Sequence, residues 1–383
     1  MVKQYIFIFF SVFIISACVN GSNKKNDAGG QGLYKPDFIF NKISKKDAEK
    51  YLTAIKFFYD TNLIVSGFNG AILVAKNGQI LFEDYHGYSN FVTKETITPH
   101  TPFHLASISK TFTGMAILRL QEEGKLSIND SLQKYFPKFP YHGVTIKTLL
   151  DHRSGLPNYL YFMDTLWDKK KKMTNKDVLN ILIDNKPEIL WPPDTHYNYC
   201  NTNFLLLAMV IEKICKQPFP QYMQQNVFLP LGMKDTYVFS MKDTVHYIPT
   251  WSVTKPYPMD QYDFTYGDKN VYSTVRDLLK WDEALYKHIF LKNETEALAF
   301  TPMSNEKPSM HNYGLAWHLF INNGDTIVYH NGKWHGSNTV FTRFIQDTAT
   351  VIVLGNKVDS KIYEARQLGS IFNGKIDTTG FEE

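Results

Sequence analysis

Phe103-His104-Leu105-Ala106-Ser107-Ile108-Ser109-Lys110-Thr111-Phe112-Thr113-Gly114 is the stretch on which the reading of this chain turns. Ile108, Phe112, Met115 and Leu118 recur at helical spacing, which predicts a helix over Ser107–Glu123 with a core-facing stripe and Gly124 as its stop. Ser107 then stands at the helix N-terminus, where unsatisfied amides and the helix dipole favour developing negative charge. Lys110 lies one turn on, on the same face, and Gly114 continues that face with no side chain. A serine hydroxyl is inert without a base in reach. A lysine serves once burial or neighbouring positive charge keeps its amine partly neutral. The spacing alone is weak, because SxxK also starts at Ser22, Ser131, Ser252 and Ser304, and its ordinary meaning is a capping serine beside a solvated lysine.

Two distant segments add chemistry to this centre. Tyr199-Cys200-Asn201 follows the stiff Trp191-Pro192-Pro193 loop and directly precedes a predicted helix, so Tyr199 could share a proton with Lys110. His330-Asn331-Gly332 closes a predicted strand, with Gly336 soon after, where a glycine lets substrate backbone lie against a sheet edge.

Asn69 to Ala75 and Gln79 to Tyr85 are strand-like runs joined through Asn77-Gly78, a hairpin signal. Thr326 to His330, Thr339 to Ile345 and Thr350 to Leu354 read as three more strands near the other end. Between them lie helical stretches at about Lys176 to Asp184, Thr202 to Cys215, Phe219 to Val227 and Thr274 to Tyr286. The expected fold is α+β: an antiparallel sheet built from N- and C-terminal strands, flanked by helices, with a mostly helical insertion at about 125–265.

At 383 residues and 44% apolar content the chain can bury a large core. A net charge of +4, spread along the chain, points to no nucleic-acid partner. Residues 1–17 carry an apolar run from Tyr5 to Ile15, about 11 residues against the roughly 20 of a membrane span. Followed by Ile15-Ser16-Ala17-Cys18, this is the pattern of a lipoprotein signal peptide. It predicts lipidation at Cys18, a flexible Gly-, Asn- and Lys-rich tether over 18–32, and a domain over 33–383 held at the bacterial cell envelope. The membrane is then a partner through the lipid alone. Cys200 and Cys215, separated by a predicted helix at 1.5 Å per residue, lie roughly 20 Å apart and cannot bridge.

Seven landmarks occur in order: Gly70-Ala71-Ile72-Leu73-Val74-Ala75-Lys76-Asn77-Gly78, the stretch from Phe103 to Gly114, Leu149-Leu150-Asp151-His152-Arg153-Ser154-Gly155-Leu156-Pro157, Tyr199-Cys200-Asn201, Tyr272-Ser273-Thr274, Tyr313-Gly314-Leu315-Ala316-Trp317 and His330-Asn331-Gly332. From about Asn69 to Lys357 the chain thereby resembles the serine β-lactamase and penicillin-binding-protein superfamily, in its class C-like and esterase-like branch. That resemblance implies an acyl-enzyme hydrolase without metal or cofactor, acting on a small-molecule or peptide substrate. It makes Ser107 the nucleophile, Lys110 and Tyr199 the proton-handling pair, and Asn201 a residue that orients Lys110 and the substrate amide. The amides of Ser107 and Lys333, beside Gly332, would hold the oxyanion.

One departure bears on substrate. Many relatives carry a KTG triad whose lysine helps hold a substrate carboxylate, and His330 stands in that lysine's place. Neutral histidine offers a hydrogen bond in place of a fixed charge. Esters, amides and D-peptides are therefore expected ahead of a dedicated β-lactamase or D-alanyl-D-alanine carboxypeptidase. A catalytically silent peptidoglycan-binding lipoprotein is the contrasting reading, and the intact Ser107, Lys110 and Tyr199 speak against it.

Other candidates carry less. His100 and His104 have the spacing of zinc ligands on a helix, but Pro102 interrupts them and no glutamate follows His100. His152 sits at a predicted helix end and is expected to be structural. No GxSxG occurs, so an α/β-hydrolase nucleophile elbow is excluded. The aromatic stretches Tyr159 to Phe162 and Tyr247 to Tyr266 read as loops whose rings could line a groove, and Lys169 to Lys172 as a solvated face.

Overall fold

Asn77 and Gly78 adopt φ of 49° and 67°, the paired positive values that a tight two-residue hairpin turn requires. They join β1 (Gly70–Lys76) to β2 (Gln79–His86), so the predicted hairpin is present. This computed structural model describes residues 33–240, 247–253, 255–322 and 324–373. The predicted signal segment, the lipidation site Cys18 and the tether over 18–32 lie outside the described residues.

A helix, α1 (Lys45–Phe58), precedes the hairpin. After it come a small ribbon of β3 (Tyr88–Asn90) and β4 (Glu95–Thr96), then β5 (Phe103–His104) and α2 (Ser109–Glu122). The inserted region is helical through α3 (Ile146–Leu150), α4 (Tyr159–Leu166), α5 (Asn175–Asn185), α6 (Asn201–Cys215) and α7 (Phe219–Met223). It returns through β6 (Tyr237–Val238) and β7 (Val271–Ser273), which form a second sheet with β5 in the order β5-β7-β6. Then follow α8 (Val275–Tyr286), α9 (Asn293–Ala299), β8 (His311–Tyr313), β9 (His318–Asn322), β10 (Asp325–Trp334), β11 (Ser337–Phe344) and β12 (Ala349–Gly355).

The main sheet is antiparallel, in the order β2-β1-β12-β11-β10-β9-β8. Its N- and C-terminal halves meet where β1 pairs with β12 from Gly70↔Gly355 to Lys76↔Ala349. Ala71, Leu73 and Ala75 face the large helical core, while Ile72 and Val74 face a second cluster with Ile55 and Phe58 of α1 and Ile362 and Leu368. Burial on both faces explains why β1 and β12 read as unbroken apolar runs in place of a polar–apolar alternation.

α2 buries more than the predicted stripe, since every residue from Ser109 to Leu120 is buried. Its polar side chains turn to the loop before β7: Thr113 Oγ1 donates to the Gly267 carbonyl at 2.7 Å, and Ser109 Oγ accepts from the Val271 amide at 3.0 Å. Gly114 serves close approach, because a Cβ there would fall 2.2 Å from Ala316 Cβ. Tyr159 to Phe162, expected as loop, begins α4, and the Tyr159 ring is fully buried.

Cys200 and Cys215 bracket α6 and are both free, in keeping with the predicted separation. Lys169 to Lys172 are exposed. The sheet is tied to its helices by Arg343 of β11, a fully buried guanidinium 2.6 Å from Asp282 of α8 and 3.4 Å from Glu296 of α9. Among the described residues no helix is long and apolar enough to cross a membrane.

Candidate active site

Ser107 lies in a 3-10 turn, Ala106–Ile108, that runs on into α2; the α-helix proper starts at Ser109, two residues later than expected. Ala106, immediately before it, has φ of 49°, a left-handed backbone that costs a residue with a Cβ on the order of 1 kcal/mol. Its surroundings hold it there. The Ala106 amide donates to His104 Nδ1 at 3.2 Å, and His104 Nε2 lies 2.8 Å from Asn270 Oδ1. Burial pushes His104 down to about 4, so the ring is neutral and free to accept from that amide. His100 pairs instead with Asp235 at 2.8 Å, so the two histidines share no ligand.

Lys110, one turn on, is fully buried and donates to Ser107 Oγ at 2.9 Å, to Asn201 Oδ1 at 2.8 Å and to the Asp268 carbonyl at 2.8 Å. Burial, assisted by the Lys269 ammonium and opposed by the Asp268 carboxylate, lowers its pKa to about 7. The Lys110 ammonium stands 5.0 Å from the centroid of the Tyr199 ring. Tyr199 and Asn201 are set by the loop before α6, and His152 fixes that loop. His152 Nδ1 accepts from the Cys200 amide at 3.1 Å and lies 3.2 Å from Asn203 Nδ2, while its ring packs 4.3 Å from that of Tyr199. This is a structural role for His152.

The other wall is β10. The predicted strand ended at His330, but β10 continues to Trp334, so His330-Asn331-Gly332 lies inside it. β9 leaves β10 after the pair His318↔Tyr329, and the edge beyond is open to the site. At Gly332 a Cβ would fall 2.3 Å from the Leu105 carbonyl and 3.0 Å from Ala106 Cβ. Glycine therefore lets the turn carrying Ser107 press against the strand carrying Lys333. Ser107, Tyr199, Asn201, His330, Gly332 and Lys333 line one cavity of about 600 Å³, with Lys110 behind Ser107.

His330 is buried, with Nδ1 2.7 Å from the Asn331 carbonyl and Nε2 3.4 Å from Tyr313 Oη. That geometry assigns the proton to Nδ1. Burial, with His318 and Lys110 close by, pushes its pKa well below the ordinary range, and burial takes His318 down to about 3. Both rings are neutral at pH 7, and Lys333 is an exposed cation at the rim. The tyrosines lining the cavity are Tyr197, Tyr199, Tyr313 and Tyr329, none of them from the stretches Tyr159 to Phe162 and Tyr247 to Tyr266.

Among the described residues, Asp260, Asp263 and His335 bring ligand-type atoms together. His335 Nε2 lies 3.5 Å from one oxygen of each carboxylate, Asp263 also accepts from Trp334 Nε1 at 2.9 Å and from the Asp260 amide, and Asp260 accepts from the Tyr262 amide. The group clamps the turn after β10 against the loop that carries Asp260 and Asp263.

A family model described as Beta-lactamase matches residues 65–368. Penicillin-binding protein 4* of Bacillus subtilis (strain 168) is 32% identical over 318 residues, spanning 78% of this chain and 70% of that protein. The chain belongs to the Beta-lactamase family. The crystal structure of a penicillin binding protein from Bacillus halodurans superposes with a TM-score of 0.71 at 25% identity, covering 82% of this chain and 97% of the other. The octameric penicillin-binding protein homologue from Pyrococcus abyssi shares the fold, with a TM-score of 0.74 at 24% identity over 85% of this chain and 78% of its own. Members of the Beta-lactamase family are generally serine hydrolases.

Proposed function

We propose that the protein hydrolyses esters or amides with an uncharged acyl portion through a covalent acyl-enzyme on Ser107. The observation that carries this reading is the buried Lys110 amine 2.9 Å from Ser107 Oγ, with a pKa near 7. Ser107 Oγ attacks the substrate carbonyl and its proton passes to Lys110 or Tyr199. The oxyanion is held by the amides of Ser107 and Lys333, at the place where the turn meets β10. The leaving group departs with the transferred proton. Water then attacks the acyl ester, releasing the acid and restoring the hydroxyl.

The pH dependence tests the role of Lys110. Only the neutral amine accepts the serine proton, so kcat/KM on a p-nitrophenyl ester is expected to fall about tenfold per pH unit below about 6, with half-maximum near 7 and a plateau above about 8. A profile flat down to pH 5 contradicts Lys110 as the proton acceptor.

Substrate class follows from His330. A neutral ring in place of a cation removes a charge-assisted hydrogen bond worth ~1.5–3 kcal/mol, or ~10–100-fold, from a substrate that needs its carboxylate held. His330→Lys is expected to raise kcat/KM on nitrocefin by about that factor and to leave the ester unimproved. Rapid nitrocefin turnover, not improved in His330→Lys, would refute the assignment and favour a β-lactamase or D-alanyl-D-alanine carboxypeptidase.

We further propose that lipidated Cys18 holds this domain at the cell envelope, a reading supported by the sequence around Ile15-Ser16-Ala17-Cys18. Cys18→Ser should move the protein from the membrane fraction to the supernatant. Retention in the membrane fraction would sink the idea.

A further inference from the structure

Asp268 and Lys269 belong to no motif that marks the site, yet both side chains are almost wholly buried directly behind it. A buried aspartate and a buried lysine are costly unless paired and hydrogen-bonded. Their partners form one network. Asp268 Oδ2 accepts from Tyr159 Oη at 2.9 Å and lies 3.6 Å from Lys269 Nζ. Lys269 Nζ also donates to Tyr159 Oη and Thr265 Oγ1, and stands 4.9 Å from the centroid of the Trp334 ring. Asp268 Oδ1 is buried with no hydrogen-bond partner among the described residues.

This network touches both walls of the site. The Asp268 carbonyl is one of the three acceptors of Lys110 Nζ, at 2.8 Å. Trp334 ends β10 one residue after Lys333. We propose that Asp268 and Lys269 are positioning residues, a buried ion pair that fixes the carbonyl on which Lys110 rests and balances the charge behind it. The proposal rests on the reading of Lys110 as the base for Ser107.

The groups that face Lys110 leave this pair as its charged neighbours. From the turn after α3 comes His152, from β9 His318 and from β10 His330, all pushed low enough by burial to be neutral at pH 7. From the loop before α6 come the Tyr199 ring and the Cys200 thiol, the latter pushed up to about 11, and from α4 comes Tyr159, pushed well above its ordinary value. The two charges act in opposite senses: the Asp268 carboxylate holds the proton on Lys110, and the Lys269 ammonium drives it off.

Opposite signs make the proposal testable. In the full chain, the rate of Ser107 labelling by a fluorophosphonate is measured against pH for the wild type, Lys269→Met and Asp268→Asn, with melting curves for each. Lys269→Met leaves the carboxylate uncompensated and is expected to raise the midpoint of the acid limb by about one pH unit. Asp268→Asn, which keeps the backbone carbonyl and the side-chain shape, is expected to lower it by about as much. If Lys269→Met fails to fold, Asp268→Asn carries the test by itself, and Lys269→Arg is expected to keep the wild-type midpoint. Slower labelling at every pH with unmoved midpoints, or shifts of the same sign in both variants, overturns the proposal. A wild type with no acid limb overturns both this proposal and the function on which it rests, whereas a wild-type limb near pH 7 with unmoved variants overturns this proposal alone.

Discussion

Lys110→Met is expected to slow acylation of Ser107 by about 10³-fold, the range over which a positioned base acts. The wild-type amine is already seated: one hydrogen bond reaches Ser107 Oγ, and two others, to Asn201 and the Asp268 carbonyl, hold it in place. Methionine fills a similar volume and carries no proton acceptor. Tyr199 remains in the variant, so residual acylation measures what the phenol can do alone. The measurement is the rate of p-nitrophenol release, beside a melting curve showing that the protein is folded. A folded variant slowed less than about tenfold would move the proton to Tyr199.

The largest effect on stability is expected from Arg343→Met. The guanidinium is buried between Asp282 and Glu296 and stands 4.5 Å from the centroid of the Tyr286 ring. Replacing the pair by apolar groups together can be nearly neutral, but removing the guanidinium alone leaves Asp282 a buried, uncompensated acid and Glu296 with only His288, 3.0 Å away, at a cost of about 3–5 kcal/mol. Asp282 already has its pKa raised by burial, so it would partly escape by protonating. The deficit should therefore shrink as the pH falls toward the carboxylate range. Urea unfolding of the two proteins at pH 7 and pH 5 checks both the size and the trend. An unchanged urea midpoint would contradict the clamp between sheet and helices.

The parts of the fold legible in the sequence were those with local signals. Asn77-Gly78 marked the hairpin because its φ values are needed wherever such a turn forms. The apolar spacing of α5, α6 and α8 placed those helices to within a residue or two. β8 carried no such signal. His311 and Asn312 line the cavity, so this short strand lacks the alternation that marks a solvated sheet. α1 was silent for the opposite reason, since it buries only Ile55 and Phe58.

The site divides in the same way. Ser107, Lys110, Tyr199, Asn201, His330, Gly332 and Lys333 were legible through short motifs, and the structure brings all but Lys110 to the lining of one cavity, with Lys110 behind Ser107. The supports were not. The strain at Ala106 is invisible in an alanine, and Lys269 looks like any surface lysine because Tyr159 is 110 residues away in sequence. The extent of β10 beyond His330 was also hidden, because Asn331-Gly332-Lys333 is the composition of a turn and becomes strand only through its pairing with Val340, Thr339 and Asn338.

The central claim is that Ser107 becomes covalently acylated. Intact-protein and peptide mass spectrometry after brief exposure to a fluorophosphonate tests it most directly. One adduct is expected, on the peptide containing Ser107, absent in Ser107→Ala and suppressed in Lys110→Met. A folded wild type that turns over ester with no adduct, or with the adduct on another residue, would contradict the account.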